Sequence, residues 1–167
     1  MILITIITMK TKTLKQYKMK IHRKYKHIGY SYPGVPKGWK SIVEKTIIEI
    51  EKEMWPRWIP RFIKRWIHYL ATGDSVVRVR SRFWYNIRTK LTKGQIITDI
   101  KDKFATLRIY GSFGDEIEKI IEKAEEECYR TCERCSGKEK VRSVGKGWIY
   151  NLCKKCRKNS EKKLDKI

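Results

Sequence analysis

The chain has 167 residues and is strongly basic, since 40 Lys and Arg against 18 Asp and Glu give a formal net charge of +22. Hydrophobic residues make up 41% of it, with 6 Trp and 9 Tyr, which excludes a disordered basic tail and provides for a packed core. The length suits one core domain plus a small additional module, and the sign of the charge excludes a mimic of DNA.

The positive charge is arranged in blocks. Residues 1–40 carry +10 with no acidic residue, residues 55–94 carry +9, and residues 132–167 carry +8. Residues 41–54 and 95–131 are acidic, at −2 and −3. A compositional bias of the source genome is the alternative explanation, although such a bias would enrich Glu together with Lys. The blocks favour surfaces that bind polyanions.

The first predicted elements are a basic segment and two helices. Residues 1–37 alternate Lys with apolar side chains around positions 17–22, which predicts a strand with a basic face, and a Pro- and Gly-rich connection at 32–38 follows. Helical spacing of apolar residues then predicts a core helix from Trp39 to Met54 and a basic amphipathic helix over 59–70. The second helix is interpreted first as a core helix with Phe62, Trp66 and Ile67 on its buried face and Lys64 on a solvated face. A helix on a membrane surface or on nucleic acid is the alternative.

Residues 76–82 alternate Val with Arg, which predicts a strand whose face presents Arg78, Arg80 and Arg82 beside the aromatic run 83–85. Arginines beside aromatic rings suit stacking on bases, while core aromatics with solvated arginines are the equally weighted alternative. Farther along, the apolar spacing predicts a helix over 95–104 and a strand over 105–110. A turn at 111–114 should then lead into an acidic helix, capped by Asp115, that runs to about residue 130.

Four cysteines near the C-terminal end have the spacing C-x2-C-x17-C-x2-C: Cys132, Cys135, Cys153 and Cys156. This spacing is typical of a structural Zn²⁺ site in which four thiolates close a tetrahedron and leave no position for water. Between the pairs, residues 141–143 and 148–152 predict a hairpin, and residues 154–166 predict a helix. The turn that carries the first cysteine pair (the knuckle), the hairpin and the helix together indicate a treble-clef or ribbon-like zinc finger.

Two disulfides are the alternative to zinc. The apolar residues 1–8 are too short for a signal-peptide core and have no basic residues before them, so we expect an intracellular protein, located in the cytoplasm, whose thiols stay reduced. No apolar stretch approaches the roughly 20 residues that a bilayer span needs, so no membrane association is expected. Cys128 falls at helical spacing with apolar residues and is interpreted as a buried small hydrophobe.

The chain resembles a family of small phage and prophage zinc-finger proteins in three places: the segment Ile100 to Tyr110, the cysteine knuckle at Thr131 to Cys135 and the run Gly147 to Cys153. Its members carry the motifs K-x-K-F-G-x-L-R-F-Y, C-E-x-C-G and G-W-x-x-T-L-C. They often begin with Gly-Trp before an apolar helix, which Gly38 and Trp39 match here. The chain departs from the family at Ala105, Ser136 and Asn151, where Gly, Gly and Thr are usual. The resemblance implies a phage origin and a zinc-stapled α+β domain.

We therefore predict an α+β fold: a small mixed domain with a C-terminal four-cysteine zinc finger. The predicted organisation is a basic N-terminal segment (1–37), a core (38–131) with a basic insertion (55–94), and a finger with a basic C-terminal helix (132–167). No catalytic His lies near the cysteines, because all three His precede residue 70, and no phosphate-binding or nucleophile-elbow motif is present. The sequence thus favours a protein that is not an enzyme.

The leading hypothesis is a phage protein that binds RNA or DNA, or a ribonucleoprotein of its host such as a CRISPR-type defence complex. The alternative is a protein-interaction module for an acidic host protein, with the helix over 59–70 as its binding edge. The oligomeric state stays open. The candidate nucleic-acid contacts are Lys18, Lys20, Arg23, Lys24, Arg78, Arg80, Arg82, Trp84, Lys154, Lys155, Arg157 and Lys158.

Overall fold

The computed structural model describes residues 25–29, 34–73, 79–145 and 148–164, the last five of these by their backbone only. The elements in chain order are α1 (Lys40–Met54), α2 (Arg61–Thr72), α3 (Arg82–Thr92), β1 (Ile96–Lys103), β2 (Thr106–Ser112), α4 (Asp115–Tyr129), β3 (Arg142–Val144), β4 (Tyr150–Leu152) and α5 (Lys154–Leu164). Each strand pair forms an antiparallel hairpin. The mixture of helices, small sheets and a C-terminal cysteine cluster confirms the predicted α+β class.

The main core lies between α1, α4 and the β1–β2 hairpin. Helix α1 buries Ile47 and Ile50, while α4 contributes Ile117 and Ile121 on its apolar side. Both helices were predicted, and both form because apolar residues recur three and four positions apart and so share one face. The predicted cap of α4 is wrong, because Gly114 occupies the N-cap position and Asp115 is the first helical residue, without a side-chain capping bond.

Strand β1 corrects the helix predicted over 95–104. Its pairing with β2 shifts by one residue between Ile97 and Asp99, which is a β-bulge. The bulge moves the buried positions from a spacing of two to a spacing of three, so that Ile97 and Ile100 both point into the core. Three is also a helical spacing, and the apolar pattern alone therefore indicated the wrong element. The strand predicted over 105–110 is confirmed as β2.

Helix α2 forms where it was predicted but presents a different face to the core. Lys64, expected in solvent, is buried together with His68, whereas Phe62 and Trp66, expected in the core, are exposed. The apolar spacing predicted the helix itself correctly, and Ile67 is buried as expected. The face is rotated because a buried carboxylate on α1 pairs with Lys64 and draws it inward.

Helix α3 replaces the strand predicted up to Arg82. Arg82 is the first residue of the helix, Arg80 lies in a bend before it, and residues 74–78 lie outside the described part of the chain. Helix α3 packs against α2 through an edge-to-face contact between Trp84 and Trp66, with ring centroids 5.1 Å apart. These two helices thus form a packed pair, which we call the α2–α3 hairpin.

Glu51 on α1 is a buried carboxylate that joins α1 to α2. Its oxygens lie 2.8 Å from Arg61 Nη2, 3.4 Å from Lys64 Nζ and 3.0 Å from His27 Nε2. Burial alone would raise the pKa of Glu51, but its bonds to His27 and Arg61 lower that pKa to about 2. Burial in turn lowers the pKa of His27, which favours the neutral imidazole. The ionised Glu51 therefore compensates the buried ammonium of Lys64.

Replacing Glu51 by Gln should lower the free energy of unfolding by about 3 kcal/mol, because the buried Lys64 loses its counter-charge. Since the pKa of Glu51 is lowered from 4.5 to about 2, its contribution should be present above that range and disappear as the pH falls through it. Urea denaturation at several pH values measures both effects. Glu53→Gln, at an exposed position of the same helix, is the control, and equal losses in the two variants would contradict the role of Glu51.

Candidate functional site: a four-cysteine metal centre

The first cysteine pair lies on a tight turn directly after α4. Cys132 N–H donates to the carbonyl of Gly137 (2.9 Å), and Ser136 N–H donates to the carbonyl of Cys132 (3.0 Å). These bonds fold the chain back on itself, so that the side chains of Cys132 and Cys135 reach the same point. Ser136 completes the turn with a φ of 62°, in the left-handed region.

The second pair lies where β4 gives way to α5. Cys153 precedes the helix, and its carbonyl accepts the N–H of Arg157 (3.0 Å), while Cys156 sits in the first helical turn. The positive end of the helix dipole favours thiolates at this position. The hairpin β3–β4 brings this pair back to the knuckle, as predicted from the residues between the pairs.

The four sulfur atoms lie within 4.8 Å of one another, and Cys135 Sγ is 3.6 Å from Cys153 Sγ. Zn–S bonds of about 2.3 Å in a tetrahedron place neighbouring sulfurs about 3.8 Å apart. A disulfide would need about 2.05 Å, and all five cysteines are free thiols. The donor set, its spacing and its closure fit a structural zinc ion, and the structure contains no disulfide among these cysteines.

The electrostatics of the cluster are also compatible with a bound cation. Burial opposes ionisation of Cys132, but backbone N–H groups of Cys153, Cys135 and Arg134 lower its pKa to about 6. Burial and the neighbouring sulfurs instead raise the pKa of Cys156 to about 12. The thiol of Cys132 thus ionises more readily than an ordinary cysteine, whereas ionisation of Cys156 beside it is opposed. A divalent ion among the sulfurs removes that repulsion and allows all four thiolates.

The knuckle is attached to the core through Glu133, which lies between its two ligands and is buried. Glu133 N–H donates to the carbonyl of Asn151 (2.9 Å), and Glu133 Oε1 accepts the N–H of Asn151 (2.6 Å). Asn151 Nδ2 in turn donates to the carbonyl of Ala105 at the β1–β2 turn (2.6 Å). These polar contacts tie the finger to the main sheet.

Gly38 and Trp39 form a second attachment. Gly38 N–H donates to the carbonyl of Glu133 (2.7 Å), and the Trp39 indole Nε1 donates to the carbonyl of Thr131 (2.9 Å). A Cβ at position 38 would lie 2.1 Å from the Cys132 carbonyl oxygen, so only Gly permits this approach. The Gly-Trp pair noted in the sequence therefore docks the start of α1 on the knuckle.

Cys128 takes no part in the metal centre. It is fully buried in the main core, where burial raises its pKa to about 12 and keeps it a neutral thiol. This agrees with its interpretation as a small hydrophobe. Among the described residues, the four cysteines at 132, 135, 153 and 156 are the one group of ligands close enough together to hold a metal ion.

The structure separates the candidate nucleic-acid residues. All three candidate lysines of α5 are exposed: Lys154, Lys155 and Lys158. Arg157 on the same helix is half-buried and donates to the carbonyl of Leu152 (3.3 Å). Arg80 and Arg82 are exposed just before and at the start of α3, and Trp84 is half-buried in edge-to-face contacts with Trp66 and Phe83. The remaining candidates lie outside the described residues: Lys18, Lys20, Arg23, Lys24 and Arg78.

The largely exposed aromatic side chains of this region were not among the predicted nucleic-acid contacts, although Phe83 belongs to the aromatic run 83–85 that was expected to suit stacking. On the α2–α3 hairpin and the turn before it they are Trp58, Phe62, Trp66, Tyr69 and Phe83. The buried side of α2 carries two polar residues, His68 and Thr72. Their presence is the one feature of the sequence that relates to the exposure of the aromatic side. Polar residues such as His68 and Thr72 are ordinarily expected in solvent, so the sequence alone predicted the wrong exposed face of α2.

Comparison with protein-family models, with curated proteins and with solved structures found no match for this chain. Among the described helices none is both long enough and apolar enough to cross a membrane. The fold and the four-cysteine centre define the chain as a small α+β zinc-binding protein.

Elemental analysis of the reduced protein should find one zinc per chain. Cys135→Ala should reduce zinc to less than half an equivalent, because three thiolates leave the tetrahedron open. Cys128→Ala is the matched control and should retain the full equivalent, since that thiol lies in the main core. Equal zinc content in the two variants would exclude the four-cysteine centre.

Ser136→Gly should raise the free energy of unfolding of the zinc-loaded protein by about 1 kcal/mol, because glycine adopts the left-handed backbone at position 136 without steric cost. Thermal denaturation measures the change. Ser112→Gly, at an exposed position of β2, should destabilise instead, because it only adds freedom to the unfolded chain. A loss of stability in both variants would show that the side chain of Ser136 matters more than its backbone.

Proposed function

We propose that this chain is a non-catalytic, zinc-stapled phage protein that binds nucleic acid, or a ribonucleoprotein of its host, through its basic surfaces. Interference with a host defence system of the CRISPR type is the setting that we propose for it. The four-cysteine centre supports a non-catalytic role, because a metal with four protein ligands has no open position for water. The metal would then hold the finger in shape and present α5 at a constant angle.

The observation that carries this proposal is the segregation of charge in the fold. Four glutamates of α4 are neutralised locally, by ion pairs to Arg108, Lys119, Arg130 and Lys138. Among the described side chains, no carboxylate pairs with Lys154, Lys155 or Lys158 on α5. The excess positive charge is therefore displayed on particular surfaces, where polyanion binding would release counterions and gain free energy.

A protein-interaction module is the second candidate, because α2 and the turn before it expose large apolar side chains. Trp58 and Phe62 are mostly in solvent, and exposed aromatic clusters mark interaction sites on protein surfaces. Capture of tagged protein from a host lysate, with and without nuclease treatment, separates the candidates. Loss of all partners on nuclease treatment supports the first, and a stoichiometric protein partner that survives treatment supports the second.

Replacing Lys154, Lys155 and Lys158 together by Gln should weaken binding to a labelled oligonucleotide and reduce the slope of log K against log salt by about 2 to 3, since each lost phosphate contact contributes about 0.7 to 0.9. Fluorescence anisotropy at several salt concentrations measures both quantities. The control replaces Lys45, Lys119 and Lys123 on α1 and α4, which removes the same charge from another surface. Equal effects of the two triple variants would indicate that only the net charge matters.

A further inference from the structure

The α2–α3 hairpin carries a row of exposed aromatic rings. Phe62 is 72% exposed, Trp66 54% and Tyr69 47%, and their spacings of four and three residues place them along one side of α2. Trp58, 79% exposed, lies in the turn before the helix. Phe83 on α3 adds a fifth ring that is 66% exposed. We call these five residues the aromatic face. A chain that needed α2 only for its core would place these rings inward.

Two of these rings, those of Trp66 and Phe83, are held by packing on Trp84. Trp66 contacts Trp84 edge-to-face at 5.1 Å, and Trp84 contacts Phe83 in the same way at 5.3 Å. On the opposite side of α2, Lys64 is tied to Glu51 and Ile67 is buried in the core. The helix cannot rotate to hide its aromatic side without breaking that ion pair. Rings held in this way lose little side-chain entropy when a flat ligand stacks on them.

A groove of about 350 Å³ opens along this face. Its walls include the rings of Phe62, Trp66 and Tyr69 and the cationic side chains of Lys26 and Arg65. The guanidinium of Arg80 lies 4.8 Å above the Tyr69 ring at the end of the groove. No carboxylate lines the groove among the described residues. Aromatic walls with cations at their edges are complementary to a nucleotide, which combines a flat base with an anionic phosphate.

We propose that the aromatic face is a binding site for single-stranded nucleic acid, whose unpaired bases stack on Phe62, Trp66 and Tyr69 while its phosphates contact Arg65 and Arg80. This inference rests on the proposed function and specifies the site and the kind of nucleic acid. A duplex cannot occupy the face in this way, because its bases are already stacked on one another. The charge of the groove favours a polyanion over an apolar protein segment as its occupant.

The test compares Phe62→Ala with Phe104→Ala. Both rings are largely exposed, 72% and 70%, and the two substitutions remove the same atoms without changing the charge, but Phe104 lies in the β1–β2 turn. Anisotropy titrations use labelled RNA and DNA single strands of about 10 nucleotides, together with the matching duplexes. Phe62→Ala should weaken single-strand binding about 5- to 100-fold with the salt slope unchanged, whereas Phe104→Ala and the duplex affinities should change little. Phe62→Trp should retain single-strand binding, unlike Phe62→Ala, since it keeps an aromatic stacking surface at this position.

The outcomes distinguish the site from the function. Equal single-strand affinity of Phe62→Ala and Phe104→Ala, with the lysines of α5 still needed for binding, would overturn the aromatic face and leave the proposed function standing. If the wild-type protein binds no nucleic acid in a salt-dependent manner, both proposals fail. Loss of a nuclease-resistant protein partner in Phe62→Ala, with oligonucleotide binding intact, would overturn the proposal by showing that the face docks a protein.

Discussion

Four thiols that converge on one point are the constraint on which the C-terminal part of this fold depends. The sulfurs lie within 4.8 Å of one another, a distance at which several thiolates repel strongly unless a cation lies among them. The metal therefore supplies folding free energy that the few apolar residues of the finger cannot supply alone. Glu133 lies between two ligands and bonds to Asn151, whose side chain bonds to Ala105 in the β1–β2 turn. Closing the metal centre therefore also locks the finger to the main sheet.

The same constraint orients the basic surface of the finger. Helix α5 begins directly after Cys153 and contains Cys156 in its first turn, so its lysines project from a metal-fixed origin. The α2–α3 hairpin is held by a different device, the buried pairing of Glu51 with Lys64, which determines which side of α2 meets solvent. Two separate electrostatic anchors thus position the two surfaces proposed to bind polyanions.

Local patterns identified the elements that obey a single regular period. Helices α1 and α4, strand β2 and the β3–β4 hairpin were predicted because their apolar residues keep one spacing from end to end. The prediction failed where a distant contact changed the spacing. In β1 a bulge opposite β2 gave Ile97 and Ile100 a helical interval. At Arg82 the chain enters a helix in which Trp84 packs on Trp66, a contact that local alternation of Val and Arg does not reveal.

The sequence by itself determined the metal centre, because ligand identity and two short gaps are sufficient to specify four converging sulfurs. It also determined the charge blocks and the fold class, which depend on composition and on local periodicity. Only the tertiary structure decided which face of α2 is exposed, since that depends on a carboxylate ten to thirteen residues away, Glu51, that pairs with Arg61 and Lys64. Burial is a property of the assembled core, and a helical pattern that contains both aromatic and cationic residues does not specify which of them the core will accept.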